Sequence, residues 1–490
     1  MITLLGLGPG DPALLTREAW MVLEKARVLY LRTRRHPTVD ALPAHLILRS
    51  FDALYEQEED FESVYRAIAA EVLAAVEREG EVMYAVPGHP LVGEATSSLI
   101  LSQARQRGIA VRVVAGVSFV ESTLQALAAH SAFGADGLDP LRGLQVCDAL
   151  ELATAHHPPL NPDQPALIAQ VYSRLIASDV KLTLMNQYAP QHPVWVVRDR
   201  HVERVPLHEL DHADRFDHLT TLYVPPLPQP GSFEALQEIV AHLRAPEGCP
   251  WDREQTHESL RATLLEETYE VLTAIDAEDW QALKEELGDL LLSVVMQAQI
   301  ATESETFRMS DCIAHVIAKL KRRHPHVFGE AVARTAEEVL NNWHAIKQRE
   351  RAQQAEDSSA LDGIPPALPA LAQAQKLIHR AERAGFRWQT LAERLGKVRE
   401  ELEEITNAES TTQRAEEFGD LILAIATWAE GYGVDLEAAT REANQKFAQR
   451  FRALERLARA RGITLSTLSR EALLALWQES KTLAAADATR

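Results

Sequence analysis

The sequence is poor in cysteine and has no long apolar run. The only cysteines among 490 residues are Cys147, Cys249 and Cys312, and none has a CxxC or metal-ligand spacing. We therefore expect no disulfide framework, a reducing cytoplasm as the simplest location, and packing roles for all three thiols. No segment approaches the roughly 18 consecutive apolar residues of a membrane span. The N-terminal MITLLGLG lacks a preceding basic region and predicts a buried strand rather than a signal peptide.

Positive charge is also in short supply. Lys and Arg total 50 against 71 Asp and Glu, for a net charge of −21. This balance argues against nucleic acid or an anionic membrane as the main partner. It suits a protein that binds divalent cations, and equally one that is merely soluble. With 46% hydrophobic and 25% charged residues, the composition is that of a globular protein, and the length predicts two or three domains.

Proline marks the main boundary, in VPPLPQPGS at 224–232. Before it, short Val-, Ile- and Leu-rich runs alternate with helical patterns such as ALLTREAWMVLEKA, which predicts an α/β region with a largely parallel sheet. After it, apolar residues recur at helical spacing and the chain is predicted to be all-α. A second break at 355–371 divides this part. The predicted domains are 1–226, 232–354 and 365–490.

The two α-helical parts are an internal repeat. Each has a tryptophan ahead of an EExxE helix, then ExxD, a basic pair at i, i+4, and finally WxxxK. Five features in the same order indicate duplication. The first copy has Trp251, Glu266, Glu267, Glu270, Glu286, Asp289, Lys319, Arg323, Trp343 and Lys347; the second has Trp388, Glu400, Glu401, Glu404, Glu417, Asp420, Lys446, Arg450, Trp477 and Lys481.

Helical spacing brings these carboxylates together. Glu401 and Glu404 share one face, as do Glu417 and Asp420 on the following helix, so antiparallel packing makes them converge. Repulsion between like charges about 4 Å apart is roughly 4 kcal/mol at an effective dielectric near 20, so the cluster must take up protons or a cation. All-oxygen ligands favour Mg²⁺ or Mn²⁺, and Lys446 with Arg450 could hold phosphates.

A plain structural interpretation stands beside this one. An acidic helix face is usually only a solvated face, and the repeat is what favours a metal site. The apolar residues Phe418, Leu421 and Ile422 are predicted to be core, while Trp388 and Trp477 could stack on a base or simply pack. His324 and His326 are predicted to mark a helix end at the intervening proline rather than a metal pair.

The motifs GCPWDREQT, LEETYEV, EELGDLL, KRRHPHVFG, IPPALPAL and NQKFAQRF closely resemble the MazG nucleoside triphosphate pyrophosphohydrolases, from about residue 232 to the C-terminus. The resemblance implies an α-helical, Mg²⁺-dependent and usually dimeric enzyme that cleaves NTPs or dNTPs between the α- and β-phosphates. Glu401, Glu404, Glu417 and Asp420 would bind metal or position water, with Glu400 beside them as a catalytic candidate. Lys446, Arg450 and Lys481 would hold the triphosphate. The second copy is favoured, and the first remains a candidate.

Glycine-rich loops follow three predicted strands of the N-terminal part, in GLGPGDP, YAVPGHPLVGE and VRVVAGVSFVES. Such loops allow tight turns and close approach to a ligand at the carboxyl edge of a sheet. Together they resemble the tetrapyrrole methylase family over about 1–226. The resemblance implies two α/β subdomains with S-adenosylmethionine between them. The cofactor neighbours it points to are Gly8, Pro9, Gly10, Gly88, His89 and Ser118.

The favoured interpretation is a bifunctional cytoplasmic enzyme, multidomain, with an α/β methylase-like domain followed by all-α MazG-like helical repeats. Its cofactors would be Mg²⁺ or Mn²⁺ and S-adenosylmethionine, and a tetrapyrrole or another small molecule would accept the methyl group. Two alternatives remain open at this point. One is a sensor that binds nucleotide or S-adenosylmethionine without turnover, and the other is an acidic helical scaffold.

Overall fold

The computed structural model describes residues 1–58, 60–130, 143–198, 200–212, 216–352 and 359–487. The chain divides into two compact units, Met1–Ile313 and Ala314–Arg490. Among the described residues, no helix is both long and apolar enough to cross a lipid bilayer.

The first unit contains two five-stranded sheets, each with its own layer of helices. Buried Val, Ile, Leu and Ala side chains dominate the central strands, as expected for sheets covered on both faces. The strands are β1 Ile2–Gly6, β2 Val28–Leu31, β3 Ile47–Ser50, β4 Val82–Val86, β5 Val111–Val114, β6 Gln145–Asp148, β7 Ala166–Ala169, β8 Pro193–Arg198, β9 His201–Pro206 and β10 Thr220–Val224.

The two sheets differ in strand direction. The first has the order β3-β2-β4-β1-β5 and every pair in it is parallel. The second has the order β6-β7-β10-β8-β9, and only β6 and β7 are parallel in it. The expectation of a largely parallel sheet is therefore wrong for the second half. Only two residues of sequence separate β8 from β9, too few for the long crossover that a parallel connection needs, so the two strands pair antiparallel.

Nineteen α-helices occur in the described residues, and those after Ser232 account for all of the regular structure of the C-terminal part apart from one short 3₁₀ turn. They are α1 Arg17–Leu23, α2 Leu54–Gln57, α3 Phe61–Glu79, α4 Ala95–Gln106, α5 Phe119–Ala129, α6 Ala149–Thr154, α7 Arg174–Leu184, α8 Phe233–Arg244, α9 Pro250–Glu254, α10 Arg261–Asp276, α11 Trp280–Glu303, α12 Met309–Arg323, α13 Pro325–Phe328, α14 Ala336–Ala352, α15 Ala370–Arg383, α16 Leu391–Asn407, α17 Thr411–Glu430, α18 Leu436–Ala460 and α19 Arg470–Asp487.

Two helix pairs carry the repeated acidic motifs, α10 with α11 and α16 with α17. Side-chain caps set where these helices begin: Asp279 accepts the amides of residues 281 and 282 of α11, and Ser410 accepts the amide of residue 413 of α17. Such caps satisfy amides that have no partner within the helix. The caps thus fix the first turn of each of these two acidic helices.

Four details differ from the sequence predictions. The ALL of the first predicted helix forms a 3₁₀ turn, Pro12–Leu14, and α1 begins at Arg17 because Thr16 caps it there. Phe418 and Ile422 are not core in this chain, since 53% and 42% of them are exposed. Their helical spacing gives them a common face, but no element among the described residues covers that face fully. Cys312 is exposed and so is not a packing residue.

Candidate functional site

In the second repeat, helix pairing brings three carboxylates together. One oxygen from each of Glu401, Glu417 and Asp420 lies within 4.8 Å of the other two; we call these residues the second-repeat cluster. Glu401 projects from α16, while Glu417 and Asp420 lie one turn apart on α17. Oxygen donors of this kind, without His or Cys, match the preferences of Mg²⁺ and Mn²⁺.

Lys397 is the internal cation of this cluster. Its ammonium lies 2.9 Å from a carboxylate oxygen of Glu401 and 2.9 Å from one of Glu400, and these two bonds raise the pKa of Lys397. Glu401 is only 6% exposed, so an unpaired charge there would be costly. The sequence prediction missed Lys397, although its position one turn before both glutamates was a usable signal.

Glu404 lies at the edge of the same cluster. Its carboxyl shares a hydrogen bond with Glu417, and this bond, with burial and the nearby charge of Glu401, raises the pKa of Glu404. A proton shared between two carboxyls is one response to crowded negative charge, and a bound cation is the other. Glu404 therefore touches the cluster but does not belong to the converging set of three oxygens.

The first repeat forms an equivalent group, the first-repeat cluster of Glu267, Glu270 and Glu286, with oxygens within 4.8 Å of one another. Asp289 lies close enough to raise the pKa of Glu267, after the larger effect of burial. Burial and the charge of Glu270 likewise raise the pKa of Glu286. No basic side chain pairs with these three glutamates in the described chain, and Thr263 occupies the position equivalent to Lys397.

The basic pairs of the two repeats differ in their partners. In the first repeat, Arg323 binds the carboxylate of Glu350 at 2.6 Å and lies over the ring of Trp343, 5.6 Å from its centre. Arg322 binds the other oxygen of Glu350 at 2.6 Å, and hydrogen bonds from both arginines lower the pKa of Glu350 to about 2. This ion pair occupies the guanidinium that the repeat pattern predicts as a phosphate ligand.

In the second repeat, the basic pair of Lys446 and Arg450 has no such ion-pair partner among the described residues. Lys446 is exposed and Arg450 half-buried on α18, and neither forms an ion pair with any described residue. The position equivalent to Glu350, seven residues after Trp477, is Ala484. Lys319 of the first repeat is half-buried, and the side chain of Lys347 lies outside the described residues. Of the two arginines predicted to bind phosphate, Arg323 is held by Glu350, whereas Arg450 has no ion-pair partner among the described residues.

The candidate aromatic residues take part in packing. Trp477 contacts the ring of Phe447, with centroids 5.5 Å apart, and borders a small core around Leu454. Trp388 lies edge-to-face with Phe386 at 6.1 Å, and its indole N–H has no partner among the described residues. Lys481 donates to Gln478 at 3.1 Å. Packing is thus observed for both tryptophans.

A cavity of about 680 Å³ lies between the two sheets of the first unit, bordered by loops that follow several strands. Gly88 lines the cavity and exchanges two backbone hydrogen bonds with Gly8, with N–O distances of 2.7 and 3.2 Å. A Cβ on Gly116 would lie 2.2 Å from the carbonyl oxygen of Gly88, so glycine is needed for these loops to meet. Gln170 also lines the cavity and has a φ of +65°, a backbone strain of the kind found at ligand sites.

Of the six cofactor neighbours predicted from sequence, Pro9 and Gly88 line this cavity. Gly8, Gly10, His89 and Ser118 are not among its lining residues. Ser118 instead caps α5, accepting the amide of Val120, and exchanges hydrogen bonds with Glu121. A volume of about 680 Å³ is typical of sites for small organic ligands.

Known proteins resemble the two parts separately and together. The sequence-family model of the tetrapyrrole (corrin/porphyrin) methylases matches residues 1–209. The family model of the MazG nucleotide pyrophosphohydrolase domain matches residues 255–328. The uncharacterized protein YabN of Bacillus subtilis is 38% identical over 98% of both chains. The Escherichia coli nucleoside triphosphate pyrophosphohydrolase is 45% identical over 51% of this chain and 96% of its own. A uroporphyrin-III C-methyltransferase structure from Thermus thermophilus is 23% identical over 46% of this chain and 93% of its own, with a TM-score of 0.34.

An α/β domain with a glycine-lined cleft, followed by repeated acidic helix pairs, defines a fusion of two enzyme folds. The chain belongs to the MazG nucleoside triphosphate pyrophosphohydrolase family and carries an N-terminal domain of the tetrapyrrole methylase family.

Proposed function

We propose that the C-terminal part hydrolyses nucleoside triphosphates to the monophosphate and pyrophosphate, with Mg²⁺ at the second-repeat cluster. The observation that carries this proposal is the convergence of Glu401, Glu417 and Asp420 oxygens within 4.8 Å. The Escherichia coli relative is named for the same activity. We place the activity in the cytoplasm, where nucleoside triphosphates are held.

In this proposal, water attacks the α-phosphorus, and the bond from that phosphorus to the oxygen bridging to the β-phosphate breaks. Bound Mg²⁺ would neutralise phosphate charge and polarise the water. Glu404 accepts the proton of the water, and its raised pKa suits that role because a base works best near the operating pH. Lys446 and Arg450 stabilise the departing pyrophosphate. Lys397 pairs with Glu401 at 2.9 Å and positions its carboxylate.

The second repeat is the better candidate because its basic pair has no ion-pair partner among the described residues, whereas Glu350 already binds Arg323. A phosphate at Arg323 would have to displace a carboxylate held by two arginines. We therefore assign the first repeat a structural role. The domain limits that go with this assignment are 1–226, 232–354 and 365–490.

The N-terminal domain is proposed to bind S-adenosylmethionine in the 680 Å³ cavity, in keeping with its family. Transfer of a methyl group from a sulfonium is a direct displacement, so the main contribution expected of the protein is to position the cofactor and the methyl acceptor. A homodimer is proposed to cover the exposed apolar face that includes Phe418 and Ile422, since large exposed apolar patches mark interaction sites.

The test is product analysis with each common NTP and dNTP, with and without Mg²⁺, on matched variants. Glu404→Gln should lower turnover by about 10²- to 10⁴-fold, the usual worth of a general base. Glu270→Gln, at the equivalent position of the first repeat, is the control and should keep activity. Diphosphate with free phosphate as products would refute the proposed reaction. Loss of activity in Glu270→Gln alone would move the site to the first repeat.

A further inference from the structure

Arg394 connects the start of α16 to the end of α17. Its guanidinium donates to the backbone carbonyl of Thr427 at 2.6 Å and forms an ion pair with Glu382 of α15 at 2.5 Å. The side chains of Arg394 and Glu382 are only 11% and 18% exposed, so water screens these contacts poorly. The Thr427 carbonyl is one of the last four of α17, which have no partner within the helix. One side chain thus joins three helices.

Gly431 leaves the space that this arrangement needs. It follows α17 directly, and a Cβ at this position would lie 2.7 Å from Cδ2 of Leu391 and 2.9 Å from Cδ of Arg394. The φ of Gly431 is −63°, which any residue adopts, so the requirement here is for space alone. A larger residue would have to displace both side chains. The first turn of α16 therefore lies closely against the end of α17.

This contact is in register with the acidic residues of the same two helices. Three residues join the end of α16 to the start of α17, so with Arg394 at Thr427 the helices run antiparallel. Arg394 is seven residues, about two turns, before Glu401, and Thr427 is seven residues after Asp420. The helix position that places Arg394 at Thr427 therefore also places Glu401 at Asp420.

The second-repeat cluster tolerates little movement along these helices. A shift of one residue moves α16 by about 1.5 Å along its axis, whereas the distances from a metal to its ligands hold to within about 0.2 Å. The buried residues of the pair are small apart from one carboxylate: Val398, Glu401, Ala424, Ala426 and Thr427. Because small side chains form shallow ridges, apolar packing constrains the axial position only weakly, and the contacts of Arg394 supply the stronger constraint.

The first repeat has apolar residues at the same two points. Leu260 lies seven residues before Glu267, and Met296 lies seven residues after Asp289. Leu260 and Met296 are 7% and 5% exposed and belong to one apolar cluster. The two helix pairs are therefore held at equivalent points by different chemistry, polar in the second repeat and apolar in the first.

We propose that Arg394 is a positioning residue of the second repeat. It fixes the axial position of α16 on α17, and thereby the spacing of the carboxylates that bind the metal. Its partners are Thr427 and Glu382 rather than the carboxylates of the cluster, so it acts through the position of the helix. The inference rests on the proposed metal site at the second-repeat cluster, but not on the reaction that takes place there.

The experiment measures Mn²⁺ binding to the full-length protein from the electron paramagnetic resonance signal of the free ion. Asp420→Asn identifies the binding component that belongs to the second-repeat cluster, since it removes one carboxylate of that cluster. The variants of Arg394 all carry Glu382→Gln, so that no shielded carboxylate is left without its arginine. Relative to Glu382→Gln alone, Arg394→Met should raise the Kd of this component about tenfold, as expected when a residue that orients metal ligands is lost.

An exchange of residues between the repeats gives the second half of the test. Arg394→Leu together with Thr427→Met rebuilds the apolar pair of the first repeat and should recover most of the lost Mn²⁺ affinity. Arg461→Met is the matched control: it removes an Arg–Glu pair between the end of α18 and α19 and should leave the Kd unchanged. Thermal unfolding of each variant checks that it is folded.

Two results would overturn the inference. One is a Kd that Arg394→Met leaves unchanged, and the other is an apolar exchange that recovers none of the lost affinity. Absence of any Mn²⁺ binding that depends on Asp420 would overturn both the metal site and this inference. Mn²⁺ binding that needs Asp420 and Arg394, in a protein that forms no monophosphate, would support the inference and refute the proposed hydrolysis.

Discussion

Removing Lys397 should make the stability of the helices that carry the second-repeat cluster depend on bound metal. The Lys397 ammonium is 2.9 Å from both Glu400 and Glu401. Two unit charges at that distance attract by about 6 kcal/mol at an effective dielectric of 20. Screening reduces this value, because 34% of Lys397 and 52% of Glu400 are exposed. The exposed Lys397–Glu400 pair then stabilises the fold by at most about 1 kcal/mol. Breaking the pair between Lys397 and the buried Glu401 costs less than the roughly 3–5 kcal/mol of a fully buried ion pair, because Lys397 is partly exposed.

We therefore expect Lys397→Met to destabilise the α16–α17 pair by about 1–3 kcal/mol without Mg²⁺, equivalent to a 5- to 150-fold larger opening constant. Hydrogen exchange of the α16 and α17 amides is the assay, because it reports local opening in a chain with several domains. Saturating Mg²⁺ should restore most of the protection, since the metal supplies the missing positive charge.

The first repeat provides the converse variant. Thr263 stands where Lys397 does, so Thr263→Lys should add a cation to the first-repeat cluster, slow exchange in α10 and α11, and reduce the effect of Mg²⁺ there. Unchanged exchange in metal-free Lys397→Met, or the same gain from Mg²⁺ in that variant as in the wild type, would refute the electrostatic reasoning.

The other predictions concern phosphate binding, pH and assembly. Arg450→Ala should lower kcat about 10²- to 10³-fold if it stabilises the leaving group, whereas Arg323→Ala, whose partner is Glu350, should leave kcat nearly unchanged in the same product assay. Without metal, the folded state binds a proton at Glu404 more tightly than the unfolded state does, because its pKa is raised. Stability should thus fall as pH rises through that raised pKa, and pH-dependent unfolding that is the same in Glu404→Gln would contradict this. Phe418→Glu should shift the sedimentation coefficient from dimer to monomer, and an unchanged value would place the dimer interface elsewhere.

Helical spacing was enough to predict the acidic faces and the duplication, because residues three and four apart must share a side. It could not predict which apolar residues the fold covers, so Phe418 was assigned to the core although it is 53% exposed. Burial depends on which helices meet, and periodicity does not contain that information. The strand direction of the second sheet was predicted wrongly for a similar reason, since apolar runs look alike in parallel and antiparallel sheets.

The residues that distinguish the two repeats were also beyond the pattern. Glu350 lies outside every repeated motif, and its effect is visible only when it is seen to bind Arg322 and Arg323. His36 stands in an ordinary HP dipeptide, and nothing in the sequence indicates that its imidazole is buried against the cavity of the N-terminal domain. The glycine-rich loops did predict a close backbone approach such as that of Gly88 and Gly116, because such an approach requires residues without a Cβ and these are visible in the sequence.

The proline-rich segment before α8 is held to the preceding domain by hydrogen bonds and is not a free linker. The carboxylate of Asp163 accepts the amides of Gly231 at 2.7 Å and Ser232 at 3.0 Å, and the carbonyl of Pro162 accepts the amide of Leu227 at 2.8 Å. The first turn of α8 is thereby anchored by a residue of the preceding domain. A C-terminal fragment that starts at Ser232 would lose this anchor and fray at its first helix, so severing the two halves of the chain would disturb more than their connection.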